Sequence, residues 1–199
     1  MPARPVRSEA ARPLRERLER GLASTERRTL AIDGFAAAAV LVPLIQRGDR
    51  ISLGYTLRPD EMPTHAGQVS FPGGRRDPAD TDLTATAIRE SGEELGISPG
   101  DVDIIGSIDD VPTPVGFVIT PIVGWLADPA AFVVDEREVN EYFEVDIHEL
   151  IDPANFKDRG EREIAGVTYP VPEFRVGGRL IWGATARITQ RLLQIAGLH

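Results

Sequence analysis

The residues best suited to chemistry in this chain lie between Phe71 and Ile97, in the run FPGGRRDPADTDLTATAIRESGEELGI. Glu90, Glu93 and Glu94 are spaced three and four apart, so on a helix their carboxylates crowd onto one face. They fall just before Gly96, where a helix would end and where its macrodipole disfavours negative charge. Hard divalent cations such as magnesium take oxygen ligands, and a cation would offset this crowding. Glu90, Glu93 and Glu94 are therefore the candidate metal ligands. A solvated acidic face is the plainer reading of such a pattern. The preceding Phe71-Pro72-Gly73-Gly74 shifts the balance, because a turn without side chains suits close approach to a phosphate or metal.

Several elements must hold these groups in place. Asp82 is placed to cap a helix whose small or buried face would carry Thr84, Ala87, Ile88, Ser91 and Leu95, leaving the glutamates opposite. Upstream, Phe35 to Ile45 is apolar enough for a buried strand. Arg47-Gly48-Asp49-Arg50 reads as a turn, and Ile51, Leu53, Tyr55 and Leu57 alternate as a second strand. Downstream, strands are expected over Val102 to Ile108, Ile119 to Leu126 and Glu138 to Val145. A hairpin over Arg162 to Trp182 would turn at Gly177-Gly178, followed by a helix from Ala184 to Ile195. Val111 to Pro114 and Ile151 to Glu161 read as loops. At the N-terminus, Leu14, Leu18 and Leu22 recur at helical spacing, which points to a short packing helix. The expected organisation is an N-terminal helical extension over 1–33 and one catalytic domain over 34–199.

Composition narrows the function classes. A chain of 199 residues suits one domain with a real core. Its net charge of −9 argues against a nucleic-acid partner, since backbone phosphates need a basic surface. With no cysteine, disulfides, thiolate zinc sites and cysteine nucleophiles are excluded. Three scattered histidines make a zinc catalytic site a poor fit. No apolar run reaches the roughly 20 residues of a membrane span. The arginine-rich start carries Glu9, Glu16, Glu19 and Glu26, unlike an acid-poor transit peptide. A cytoplasmic protein with no membrane partner is expected.

The second half of the run, Arg89-Glu90-Ser91-Gly92-Glu93-Glu94-Leu95-Gly96-Ile97, resembles the Nudix box, R-E-U-x-E-E-x-G-U with U aliphatic. Two departures stand out. The segment from Gly74 to Arg89 is one residue longer than the family pattern, and Thr81 stands where the loop glutamate would, flanked by Asp80 and Asp82. Either aspartate could take that glutamate's place. Ser91 also replaces the usual aliphatic residue. The resemblance implies an α+β fold, a Nudix-type α/β/α sandwich around a mixed β-sheet, with homodimers common in the family.

The segment ahead of the box is similar to the coenzyme A pyrophosphatase branch of that family. Thr56, Arg58, Gly67, Phe71, Pro72, Gly73 and Gly74 stand in the branch motif's register. Gly54 and Tyr55, Pro59 and Pro63 depart from it, the last in place of a second arginine. The segments from Asp109 to Phe117 and from Ile181 to Ala186 look like the same branch. The resemblance implies a diphosphatase that cleaves coenzyme A or acyl-coenzyme A to 3′,5′-ADP and (acyl-)4′-phosphopantetheine, using Mg2+ or Mn2+. Glu90 and Glu94 would be catalytic, with Glu138 the first choice among Asp135, Glu136, Glu138 and Glu141 to complete the site. Arg89 would point away from the metal face and pair with Asp80 or Asp82. Arg58 first, then Arg75 or Arg76, would grip substrate phosphate beside the Gly73-Gly74 backbone. His65 reads as a turn residue or a ligand contact. The same residues leave open an ADP-ribose or dinucleotide hydrolase, and a ligand-binding module without turnover.

Overall fold

The computed structural model describes residues 8–58 and 67–198. Helix α1 (Ser8–Ser24) comes first, and Leu14 and Leu18 are buried from it. Strands β1 (Ala36–Arg47) and β2 (Arg50–Leu57) then form an antiparallel hairpin, with Arg47 opposite Arg50 across the expected turn. Two short strands follow, β3 (Val69–Ser70) against β2 and β4 (Gly73–Arg75) against β1. Helix α2 (Leu83–Leu95) carries the clustered glutamates. Beyond it lie β5 (Asp103–Ser107), β6 (Val111–Pro112), β7 (Phe117–Ala127) and β8 (Glu141–Asp146).

β1 and β7 run parallel through the middle of the sheet and every other contact in it is antiparallel, so the sheet is mixed. Successive side chains on a strand point to opposite faces, and this sorts the core into two halves. Ala39, Leu41 and Ile45 of β1 join Ile122 and Leu126 of β7 beneath Ala87 and Leu95 of α2. Val42 and Leu44, with Val123 and Trp125, face the other way onto Leu14, Leu18, Ile188 and Leu192. Both faces are covered, which is why β1 reads as a nearly unbroken apolar run rather than an alternating one. The α/β/α sandwich and the α+β class are both present.

After the four-residue α3 (Ile147–Leu150), the chain forms a second sheet from β9 (Phe156–Ile164), β10 (Val167–Val176) and β11 (Arg179–Ile181). The hairpin at Gly177-Gly178 is the expected one. The expected loop from Ile151 to Glu161 is instead partly β9, which pairs with β10 through a turn at Ala165-Gly166. Seven of its nine residues are exposed, so it carries no apolar alternation to betray it. Val111 and Pro112, also expected in a loop, pair with Ile119 and Val118. Helix α4 (Gly183–Ile195) closes the fold. Among the described residues no helix is long and apolar enough to cross a membrane.

Candidate active site

Helix α2 begins and ends where local chemistry dictates. The Asp82 carboxylate accepts from the Ala85 N–H at 2.8 Å, and Gly96, at φ 67°, donates its N–H to Gly92 O. Ala87, Ser91 and Leu95 are buried as expected, while Thr84 and Ile88 are only half-buried. One expectation is corrected here. Glu94 does not sit opposite the buried face but within it, 6% exposed, because Gly73-Gly74, extended as part of β4 rather than forming the expected turn, packs across this end of the helix. The Gly73 N–H donates to Glu94 Oε2 at 3.2 Å. Burial raises the Glu94 carboxyl to about 8, against the lowering effects of the Gly73 hydrogen bond and of Arg58, and Glu90 and Glu138 push it further up.

Glu90 lies over Gly74. A Cβ built on that glycine would stand 2.4 Å from Glu90 Oε2, so the missing side chain is the room the carboxylate occupies. The Glu90 carboxyl is also raised, chiefly by burial, partly offset by Arg89, with Glu93 and Glu138 adding repulsion. Glu93 is exposed.

Arg89 does more than pair with the loop. Its Nε and Nη2 hold both Asp80 oxygens at 3.0 Å, a bidentate fork. Asp80 accepts further from the Asp77 N–H and the Thr86 hydroxyl. Arg89 and then the Asp77 N–H hold its carboxyl far below the usual carboxylate range. Asp80 is thus the partner and Asp82 the cap. The expectation that Arg89 points away from the glutamates is corrected, because its Nη1 lies 2.9 Å from Glu90 and 3.1 Å from Glu93. A guanidinium with five donors can serve the loop and the helix face together.

A segment far along the chain completes the cluster. The N–H groups of Val133 and Asp135 donate to Leu95 O and Glu94 O, satisfying carbonyls that the end of α2 leaves open. Val139 is buried and Asn140 N–H reaches Leu57 O, which ties this segment to the end of β2 beside Arg58. Between these anchors Glu138 is brought close enough to repel both Glu90 and Glu94. Of the other candidates, Asp135 pairs with Arg137 and Glu141 with Arg179. The backbone docking of Val133 and Asp135 was not legible in sequence, since main-chain bonds leave no side-chain signature. Val139, apolar in an acidic run, was the one available sign.

The arginines separate. Arg58 faces Glu94 closely enough to favour its ionised form. Arg75 gives its carbonyl to Arg89 and is exposed. Arg76 Nη2 donates to Asp80 O at 3.2 Å, towards the N-terminal end of α2. That end is about 15 Å from Glu94, at ~1.5 Å of rise per residue. His65 lies outside the described residues.

Among the described residues no three His, Asp or Glu side chains are gathered tightly enough to hold a metal ion as they stand. The donor set nevertheless suits a hard cation. Glu90, Glu94 and Glu138 are mutually repelling carboxylates, two of them buried or half-buried, and a cation would relieve that repulsion.

Comparison with known proteins bears on the family and the fold. Residues 35–177 match the family profile described as the NUDIX domain. A Nudix hydrolase designated NudL from Yersinia enterocolitica is 38% identical over 161 residues, covering 79% of this chain and 80% of the relative. The NudL of Yersinia pestis strain Pestoides F is 37% identical over 158 residues, covering 79% and 78%. Among solved structures, the Nudix hydrolase RenU of M. smegmatis shares the fold at a TM-score of 0.53 and 17% identity, over 83% of this chain and 89% of that one.

Proposed function

The chain belongs to the Nudix hydrolase family, and from that premise we propose that it is a metal-dependent diphosphatase cleaving the pyrophosphate bond of coenzyme A or acyl-coenzyme A. The products would be 3′,5′-ADP and (acyl-)4′-phosphopantetheine. The carrying observation is that Glu90 and Glu94 meet at the Gly73-Gly74 backbone of β4, with Glu138 and Arg58 close enough to act on the charge of Glu94. Family members generally use divalent ions, and Mg2+ or Mn2+ held by Glu90 and Glu94, with Glu93 or Glu138 completing the set, would polarise a phosphoryl group and lower the pKa of a bound water.

The chain's own residues supply the rest. The side-chain-free Gly73-Gly74 backbone of β4 lets a phosphate approach closely, and Arg58 offers a cation to it. Arg75, exposed at the end of β4, is the second candidate cation, whereas Arg76 is drawn towards the start of α2. Arg89, fixed by Asp80, holds Glu90 and Glu93 in place. Glu138 is the solvent-facing member of the cluster. The coenzyme A assignment rests on Thr56, Arg58, Gly67 and Phe71 to Gly74 in the branch register.

The test is product analysis by chromatography and mass spectrometry, with Mg2+ and with Mn2+. Coenzyme A, acetyl-coenzyme A, ADP-ribose, NADH and diadenosine polyphosphates are supplied separately, with Glu94→Gln as control. Fastest release of 3′,5′-ADP from the coenzyme A species, abolished in the variant, supports the proposal. Faster turnover of ADP-ribose or a dinucleotide overturns the substrate and keeps the family.

A further inference from the structure

The last turn of α2 presents carbonyls that its own cap leaves open. Gly96 and Ile97 return their N–H groups to Gly92 O and Ser91 O, which leaves Glu94 O and Leu95 O for groups outside the helix. Asp135 stands between this helix end and Glu138. Its N–H donates to Glu94 O at 2.9 Å, and its own carbonyl accepts from the Glu138 N–H at 3.0 Å. One residue thus bonds to the main chains of both acids, while Glu138 acts on the charge of Glu94 through space.

Those main-chain bonds are open to any residue except proline, so what is particular to Asp135 lies in its side chain. Asp135 Oδ1 accepts from the Arg137 N–H at 3.0 Å, the pattern of an Asx turn. This bond curls the chain over 136–138 and brings the Asp135 carbonyl onto the N–H groups of Glu138 and Val139, each at 3.0 Å. On either side of the turn, Val139 is buried and Phe132 and Val134 pack against the core beneath α2. The Glu138 carboxylate itself makes no hydrogen bond or ion pair among the described residues, so its placement rests on the turn. The Arg137 guanidinium also reaches the Asp135 carboxylate, Nε at 2.9 Å, but its side chain is 87% exposed and such a surface pair contributes little.

We propose that Asp135 is a positioning residue for Glu138, its side chain setting the turn that aims the Glu138 carboxylate at Glu90 and Glu94. This rests on the reading of Glu138 as a working member of the cluster and is independent of which diphosphate is cleaved. An asparagine oxygen can accept the same turn bond. A glutamate keeps the charge for Arg137 but is one methylene too long to close the turn.

The test compares Asp135→Asn, Asp135→Glu, Arg137→Ala and Glu138→Gln in the full chain, on whichever diphosphate substrate turns over fastest. Asp135→Asn and Arg137→Ala are expected to keep kcat within about threefold of the parent. Asp135→Glu should lower kcat about tenfold or more with KM nearly unchanged. Combined with Glu138→Gln, it should be no slower than Glu138→Gln alone. Amide hydrogen exchange at Glu138 and Val139 needs no substrate, and should be about tenfold or more faster in Asp135→Glu than in Asp135→Asn. The reverse order, a slow Asp135→Asn beside a parental Asp135→Glu, assigns the effect to the ion pair and overturns the proposal. So do equal exchange in the two variants, or losses that multiply in the double variant. Glu138→Gln at the parental rate overturns the role of Glu138 and the proposal with it. A slow Glu138→Gln beside a parental Asp135→Glu keeps Glu138 in the site and overturns the positioning alone.

Discussion

The Glu90 carboxylate occupies the space that a side chain at position 74 would need, 2.4 Å from an ideal Cβ on Gly74. The glycine and the glutamate are therefore one device. Gly74→Ala should push the carboxylate aside and lower kcat by about 10²-fold, the scale of an ångström misplacement. The obstructing atoms end a flexible side chain, so melting temperature should fall by only a few degrees. Gly73→Ala should behave differently. Its Cβ would meet Ala39 O at 2.3 Å and Val40 Cα at 2.6 Å, at a φ of 151°, so pairing of β4 with β1 and stability should both fail. Thermal melts beside steady-state kinetics separate the two.

Glu94 gives the chain a pH signature. Its folded carboxyl lies at about 8, raised by burial above the ordinary value near ~4.3. Between those values the folded state binds a proton that the unfolded state has released, so stability falls as pH rises through this window. In chelator, urea unfolding from pH 5 to 9 should show a loss on the order of 1–4 kcal/mol in the parent chain and a flatter profile in Glu94→Gln. Adding Mg2+ or Mn2+ at pH 8 should stabilise the parent more than the variant.

The Asp80 fork acts on the glutamates through Arg89. Asp80→Asn should free Arg89 to lean further onto Glu90 and Glu93, lowering kcat by about 10–100-fold with a smaller change in KM. The folded pKa of Asp80 is depressed, so its contribution to stability is present above the unfolded carboxyl pKa and lost as pH falls into the acid range. Acid unfolding should begin at higher pH in the variant.

Arg58 is predicted to act in binding. Arg58→Gln should raise KM for a coenzyme A substrate about tenfold, or ~1.4 kcal/mol, and Arg58→Lys should recover part of it. Because Arg58 favours the ionised form of Glu94, the Gln variant should also move the acid limb of the rate profile to higher pH.

The N-terminal helix tests how independent residues 1–33 are of the rest. Leu18 is fully buried in the core shared with Val42, Leu44 and Trp125. Leu18→Ala should cost roughly 2–5 kcal/mol in denaturant unfolding. A loss near zero would mark α1 as a detachable extension.

What the sequence determined by itself was local. The caps of α2 at Asp82 and Gly96, the β1 and β2 hairpin, the turn at Gly177-Gly178 and the final helix follow from periodicity and from residues whose backbone preferences act at once. The three glutamates on one helix were visible for the same reason. The tertiary structure decided everything that depends on what lies across space. β9 exists because β10 offers it partners, though its own residues are charged and exposed. Arg76 turned to the far end of α2 because carbonyls await it there. Glu138 reached the cluster because main-chain bonds from Val133 and Asp135 dock its segment onto the end of α2. Glu94 became a buried acid, its carboxyl pushed up by burial, because the Gly73-Gly74 backbone of β4 packs over it, and burial is a property of neighbours rather than of spacing.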